Sequence, residues 1–171
     1  MPEDKNIDNI TKEEVVSHKI RVYLDNCAYN RPYDDQSQFK IELETLAKLK
    51  IQRMIKDHQI ELASSYMSIY ECGENPDSSR AELITAFINK HSSAFVSLNN
   101  KTAIEEKAHE IMKTGIKFKD ACHIASAICA RADYLVTTDM RMLKYKTDEI
   151  KLINPIDFFM NESDETEKGG E

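Results

Sequence analysis

Apolar positions along the chain follow two periods, and the alternation between them predicts the architecture. Lys19-Ile-Arg-Val-Tyr-Leu-Asp25 is a short β-rich apolar run that ends on an acid, the pattern of a strand. Across 38–57 the apolar residues Leu43, Leu46, Ala47, Met54 and Ile55 recur at steps of three and four between charges, which predicts a long amphipathic helix. Ile60–Ala63 reads as a second strand, and Ser64 or Ser65 can cap a helix that reaches about Glu74. Asn75-Pro76 restarts the chain, with Pro76 at an early helical position and Ala81, Ile84 and Ile88 at helical spacing. Ala94–Leu98 is a third strand. Thr102 is expected to cap a helix through about Lys113, with Gly115 at its C′ position. Phe118–Arg131 is an Ala-rich helix, Tyr134–Thr137 a buried strand, and Lys151–Asn154 a last strand that Pro155 ends before Phe158 and Phe159.

Strands that alternate with helices imply an α/β fold, a three-layer α/β/α sandwich around a central, mainly parallel sheet. Such sheets bind ligands outside the carboxyl ends of their strands. Asp25 and Asp139 stand where two strands finish. An acid there faces the rim of the sheet and stays ionised.

Net charge changes the picture only when its position is read. The chain has 171 residues and a formal charge of −7, with 30 Asp and Glu against 23 Lys and Arg. An acidic balance at first disfavours a nucleic-acid partner, because phosphates attract Lys and Arg. Residues 1–18 sum to −3 and residues 161–171 to −4, while 19–160 holds 20 acids and 20 bases. The sequence therefore divides into an acidic tail over 1–18, one domain over 19–160, and an acidic tail over 161–171. A hydrophobic content of 41% supports a packed core and excludes global disorder. No apolar run has the roughly 18 residues of a membrane span, and MPEDKNIDNI has no secretory apolar segment. The cysteines Cys27, Cys72, Cys122 and Cys129 show no C-x-x-C spacing, so free thiols in a cytoplasmic protein are expected.

Two further acids extend the rim. Asp120 lies in the first turn of the Ala-rich helix, where the helix dipole favours a negative charge. Glu71 lies in a helix otherwise apolar through Met67, Ile69 and Tyr70; Glu74 is a second candidate three residues on. Each acid has an ordinary structural role open to it: a turn for Asp25, a helix-end charge for Asp120, a helix cap for Asp139, an ion pair for Glu71. Four carboxylates on one rim would repel each other and call for a cation. Mg²⁺ or Mn²⁺ suits such oxygen donors and retains waters for substrate.

Three segments resemble PIN-domain ribonucleases of the kind found in VapC-type toxins. They are Val22-Tyr-Leu-Asp-Asn-Cys27, Ser65-Tyr-Met-Ser-Ile-Tyr-Glu71, and Gly115-Ile-Lys-Phe-Lys-Asp-Ala-Cys-His-Ile-Ala-Ser-Ala127 followed by Ala132-Asp-Tyr-Leu-Val-Thr-Thr-Asp139. The resemblance covers about 20–157, and the last segment is its most specific part. It implies a PIN-like fold with Asp25, Glu71, Asp120 and Asp139 as catalytic and metal-binding acids and Mg²⁺ or Mn²⁺ as cofactor. It further implies hydrolysis of RNA phosphodiester bonds to a 5′-phosphate and a 3′-hydroxyl, a homodimer, and an antitoxin protein as partner.

Around these acids, Asn26–Gln38 reads as a long polar loop in which Arg31 can touch a substrate phosphate and Asp34 or Asp35 can extend the rim. Thr137 and Thr138 can hydrogen-bond a carboxylate or a metal-bound water, Thr138 being the substrate-side candidate. His123 shares a helix face with Asp120 and is expected to pack or support. Two other functions remain open: a catalytically silent PIN-like binding module, and another α/β phosphohydrolase that uses an Asp nucleophile. The last usually needs a second Asp two residues after the first, where this chain has Cys27.

Overall fold

The computed structural model describes residues 18–160, so both acidic tails lie outside the described residues, apart from His18. Its five strands are β1 (Arg21–Leu24), β2 (Glu61–Ser65), β3 (Ser92–Val96), β4 (Tyr134–Val136) and β5 (Lys151–Ile153). They form one sheet in the order β3-β2-β1-β4-β5, and every pairing is parallel. The chain is thus α/β with an all-parallel sheet and helices on both faces, consistent with a PIN-like architecture.

Alternation along the strands sorts the core into two layers, as a period of two requires. Val22, Leu24, Leu62, Val136 and Ile153 face one layer with Ile51, Ile55, Ile84 and Ile88, from α2 (Phe39–Lys56) and α4 (Ser78–His91). Tyr23, Ala63, Leu135 and Leu152 face the other, against α5 (Lys101–Met112) and α6 (Phe118–Cys129). The small residues Ala121, Ala125 and Ala127 let α6 approach the sheet closely and are fully covered.

Several boundaries differ from the sequence reading. The expected polar loop after β1 is instead α1 (Asn26–Asn30) followed by a 3₁₀ turn (Arg31–Tyr33). The backbone N–H of Tyr29 donates to the Asp25 carbonyl, so Asp25 ends the strand and opens a helix at once. Ser65 rather than Ser64 caps α3 (Tyr66–Gly73), in a capping box with Ser68. Pro76 stays outside α4, because Asp77 is the cap and accepts from the Arg80 N–H. β3 begins two residues earlier than expected, and α5 starts at Lys101, so Thr102 is inside the helix and does not cap it. Gly115 stands two residues beyond the α5 cap, in the left-handed region at φ 99°. Pro155 starts the helical segment 155–160, whose first turn is held by Asn154 accepting from the Ile156 N–H.

The largest departure is the rotation of α2. Leu43 and Leu46, expected in the core, are exposed, whereas Glu44, Thr45 and Lys48 are buried. Burial of polar groups requires partners, and they are present. Glu44 accepts from the Asn154 amide and lies 3.7 Å from Arg31, while Lys48 reaches the Tyr29 carbonyl at 3.5 Å and lies over its ring. Hydrophobic spacing alone does not register such specific polar matches.

Candidate metal centre

The strand order reverses direction between β1 and β4, which leaves a crevice beyond their carboxyl ends. Asp25 and Asp139 come from the loops at this point. The Asp25 N–H still bonds the Val136 carbonyl at 3.0 Å, and the Thr137 N–H bonds Ile153 at 3.0 Å. Ladder-like bonding therefore continues one residue past each strand and holds the two loops side by side.

Asp25 is buried, 2% exposed, so its carboxylate must be satisfied by protein. Its Oδ2 accepts from the Thr137 hydroxyl at 2.9 Å and from the Cys27 thiol at 3.1 Å. The Thr137 oxygen in turn accepts the backbone N–H of Asp139 at 3.0 Å. One hydroxyl thus ties the acid after β1 to the loop that carries the acid after β4. Burial, the Asp25 carboxylate and Asp139 together push the Cys27 thiol far up, so it stays protonated and acts as a donor. Replacing Thr137 by Val keeps the shape but leaves a buried carboxylate oxygen and an N–H short of partners. A loss of about 1 to 3 kcal/mol is expected, measured by urea unfolding; a change within 0.3 kcal/mol, about the error of such a titration, would remove Thr137 from this role.

Glu71 projects from α3 and His123 from α6. The His123 ring is fully buried, with Nε2 3.1 Å from Glu71 Oε2 and 3.9 Å from Asp25 Oδ1. Its Nδ1 is 2.7 Å from the Tyr23 hydroxyl, which also meets Ser65 at 2.7 Å and Ser68 at 3.1 Å. Burial opposes a charge on this imidazole, but Tyr23, Glu71 and Asp25 outweigh it and hold its pKa well above the usual value. A protonated ring donates through Nδ1 to Tyr23, while Nε2 lies near the two carboxylates as a charge contact without a well-aligned hydrogen bond. Asp25, Glu71 and His123 each place a ligand-type atom within 4.8 Å of the others; with the imidazole protonated the carboxylates of Asp25 and Glu71 are the donors for a metal ion, and Nε2 could join them only after losing its proton.

Asp120 completes the acidic field. Its pKa is pushed up to about 6 by burial first, then by the charges of Asp25 and Asp139, with Glu71 adding and His123 opposing. Asp139 caps α7 (Met140–Leu143), where its Oδ1 accepts from the Arg141 N–H at 2.8 Å. One carboxylate oxygen is therefore committed to structure and Oδ2 is left for other use. The carboxylate oxygens fit a hard divalent cation, since they repel one another, and the protonated His123 stands beside them as a counter-charge and not as a ligand.

The remaining candidates are distributed differently. Glu74 turns outward to Lys119 at 2.6 Å, which separates it from Glu71. Arg31 is occupied by Asp34 at 2.9 Å and Glu44 at 3.7 Å. Asp35 receives the Ser37 N–H in a local turn. Thr138 is buried next to Asp139, and its hydroxyl has no protein partner. The Tyr23–His123 connection was not anticipated from sequence. Its signal was a tyrosine on the α6 side of β1 and a histidine on the sheet-facing side of α6, a pairing that becomes legible only once the two elements are docked.

No family model and no curated protein matches the chain. Among solved structures, a chain in the crystal structure of VapBC2 from Rickettsia felis bound to a DNA fragment from their promoter is similar at 14% identity with a TM-score of 0.48, over 79% of this chain and 98% of that one.

Proposed function

We propose that the protein is a metal-dependent endoribonuclease and that Asp25, Glu71, Asp120 and Asp139 form its metal-binding and catalytic centre. The observation that carries this reading is geometric: at the switch point of a parallel sheet the carboxylates of Asp25 and Glu71 lie within 4.8 Å of each other and of His123 Nε2, and the upward shift of Asp120 by Asp25, Asp139 and Glu71 supports the inclusion of the other two acids. A bound Mg²⁺ or Mn²⁺ supplies Lewis acidity and an activated water for phosphodiester hydrolysis. The chain's own groups then have separate tasks. Asp25 is fixed by Thr137 and Cys27, and Asp139 is fixed by the start of α7. His123 holds Asp25 and Glu71 together from within the core. Thr138 has an unused hydroxyl for substrate or a metal-bound water. Arg31 as a phosphate contact requires release from Asp34, the more exposed of its two partners.

The resemblance to VapC-type toxins extends the proposal to an antitoxin partner and a homodimer. Among the described residues no helix is long and apolar enough to cross a membrane, which accords with action on cytoplasmic RNA.

The test is cleavage of a mixed-sequence single-stranded RNA by the purified full chain. Cleavage should require Mg²⁺ or Mn²⁺, stop in excess EDTA, and leave 5′-phosphate ends. Cleavage that persists in EDTA, or no cleavage with either ion, would overturn the reading in favour of a silent binding module. A phospho-aspartate trapped on Asp25 would favour the alternative phosphohydrolase.

A further inference from the structure

We infer that the cleft between the start of α6 and α7 holds a backbone phosphate of a single-stranded RNA, next to the bond placed at the acids. This inference rests on the nuclease reading and assigns the residues by which that site takes its substrate.

An acidic centre repels the polyanion it is meant to cut, so cations must lie close by and must not be spent on structural pairs. Several basic side chains fail the second requirement, and of those that meet it, few share a cleft with one of the acids. Arg21 is paired with Glu61, Lys107 with Glu149, Lys119 with Glu74 and Arg31 with Asp34. The cleft that contains Asp120 differs. It has a volume of about 320 Å³ and is also lined by Lys117, Arg141, Lys144 and Tyr145. Among the described residues, none of Lys117, Arg141 and Lys144 belongs to an ion pair.

The local backbone explains the opening. Gly115 takes φ 99° in the turn before α6 and presents no side chain there. Lys117 is the N-cap of α6 with no side-chain cap bond, so the first N–H groups of a 12-residue helix lie at the end of the helix that lines the cleft. On the opposite wall, Asp139 takes the Arg141 N–H, and this leaves the guanidinium free while fixing the start of α7. Asp120 is both a wall of this cleft and a member of the acidic field, so a phosphate gripped here lies next to the metal centre. The volume admits a phosphate with its sugar, and a flexible single strand can bend to place one there more readily than the regular backbone of a duplex. Tyr145 adds an aromatic wall on which a base can rest.

The test compares the wild type with Arg141→Gln/Lys144→Gln. A charge-matched control is Arg53→Gln/Lys90→Gln, from the C-terminal turns of α2 and α4. Both control residues precede β2 and β3 and so lie at the opposite end of the sheet from the acids. Binding of a labelled single-stranded RNA is measured against salt with Ca²⁺ present, the RNA being checked for integrity, and thermal melts confirm folding. Loss of the grip on that phosphate should reduce the slope of log affinity on log salt by about 0.7 in the cleft variant. The control should keep the wild-type slope, and a duplex of the same sequence should bind more weakly.

An unchanged slope in the cleft variant, an equal change in the control, or equal binding of duplex would overturn the assignment even where the wild type cleaves RNA. Wild type that binds with the expected cleft dependence but cleaves with neither Mg²⁺ nor Mn²⁺ would overturn the hydrolytic reading and support the cleft.

Discussion

Replacing Asp120 by Asn should abolish RNA cleavage, by about 10³-fold or more, and at the same time stabilise the metal-free protein at neutral pH. The two effects have one origin. Asp120 is half-buried beside Asp25, Asp139 and Glu71, and its pKa is pushed up to about 6 in the folded chain from 3.8. A carboxylate with a raised folded pKa is a burden where it is ionised. The folded state binds its proton more tightly than the unfolded state, so stability falls as pH rises from about 4 through 6 and stays low above that. Discounted for solvent screening, the cost at neutral pH is about 1 kcal/mol. Asn removes it, so the variant should exceed the wild type by about that amount at pH 7.5 and converge with it near pH 4.

A metal reverses the order. Mg²⁺ or Mn²⁺ binds the native state alone and should raise the melting temperature of the wild type with concentration. The variant, with one donor fewer, should respond less. Melting curves with and without metal at pH 4 and 7.5 check both halves. A variant that is less stable than the wild type without metal would show that Asp120 does not strain the metal-free centre, and one equally responsive to Mn²⁺ would show that it does not bind the ion.

The placement of the proposed site's acids was legible in the sequence because they occupy positions where simple rules apply. Asp25 and Asp139 follow apolar strands, and Asp120 lies in the first turn of a helix with a small, buried face. β-rich apolar runs that alternate with segments of helical spacing were enough to give a parallel α/β sheet with helices on both sides. What the sequence did not disclose depends on contacts between distant segments. Asn154 selects the buried face of α2 through Glu44, across 110 residues. Thr137 joins two loops that are 112 residues apart. His123 gained its role from Tyr23, 100 residues away, and no local periodicity distinguishes a histidine that packs from one that meets two carboxylates. An ordinary structural role does not exclude the proposed one: Asp139 caps α7 through one oxygen and keeps the other.

Replacing His123 by Ala should produce the largest loss of stability in the chain, about 3 to 5 kcal/mol, because it removes a buried cation and leaves its partners in place. Asp25 would lose its nearest positive charge, Glu71 would lose a contact at 3.1 Å, and the Tyr23 hydroxyl would lose an acceptor or donor at 2.7 Å. Tyr23→Phe tests the outer part of the same chain and should cost less, about 1 to 2 kcal/mol, since the ring and its packing remain. The pH dependence separates charge from shape. The His123 pKa is raised on folding, so its contribution is fully present below the unfolded value near 6.5 and is lost as pH rises through the higher folded value. The gap between wild type and His123→Ala should therefore be widest at pH 6 and narrow in alkaline solution. A cavity alone would give a gap independent of pH. Mn²⁺ adds a second distinction: positive charge supplied between Asp25 and Glu71 from outside should recover part of the loss in His123→Ala, whereas it cannot fill the space left by the ring. Urea unfolding at pH 6 and pH 9, with and without Mn²⁺, measures all three quantities. A pH-independent loss that Mn²⁺ does not reduce would make His123 a packing residue and leave the carboxylates to organise themselves.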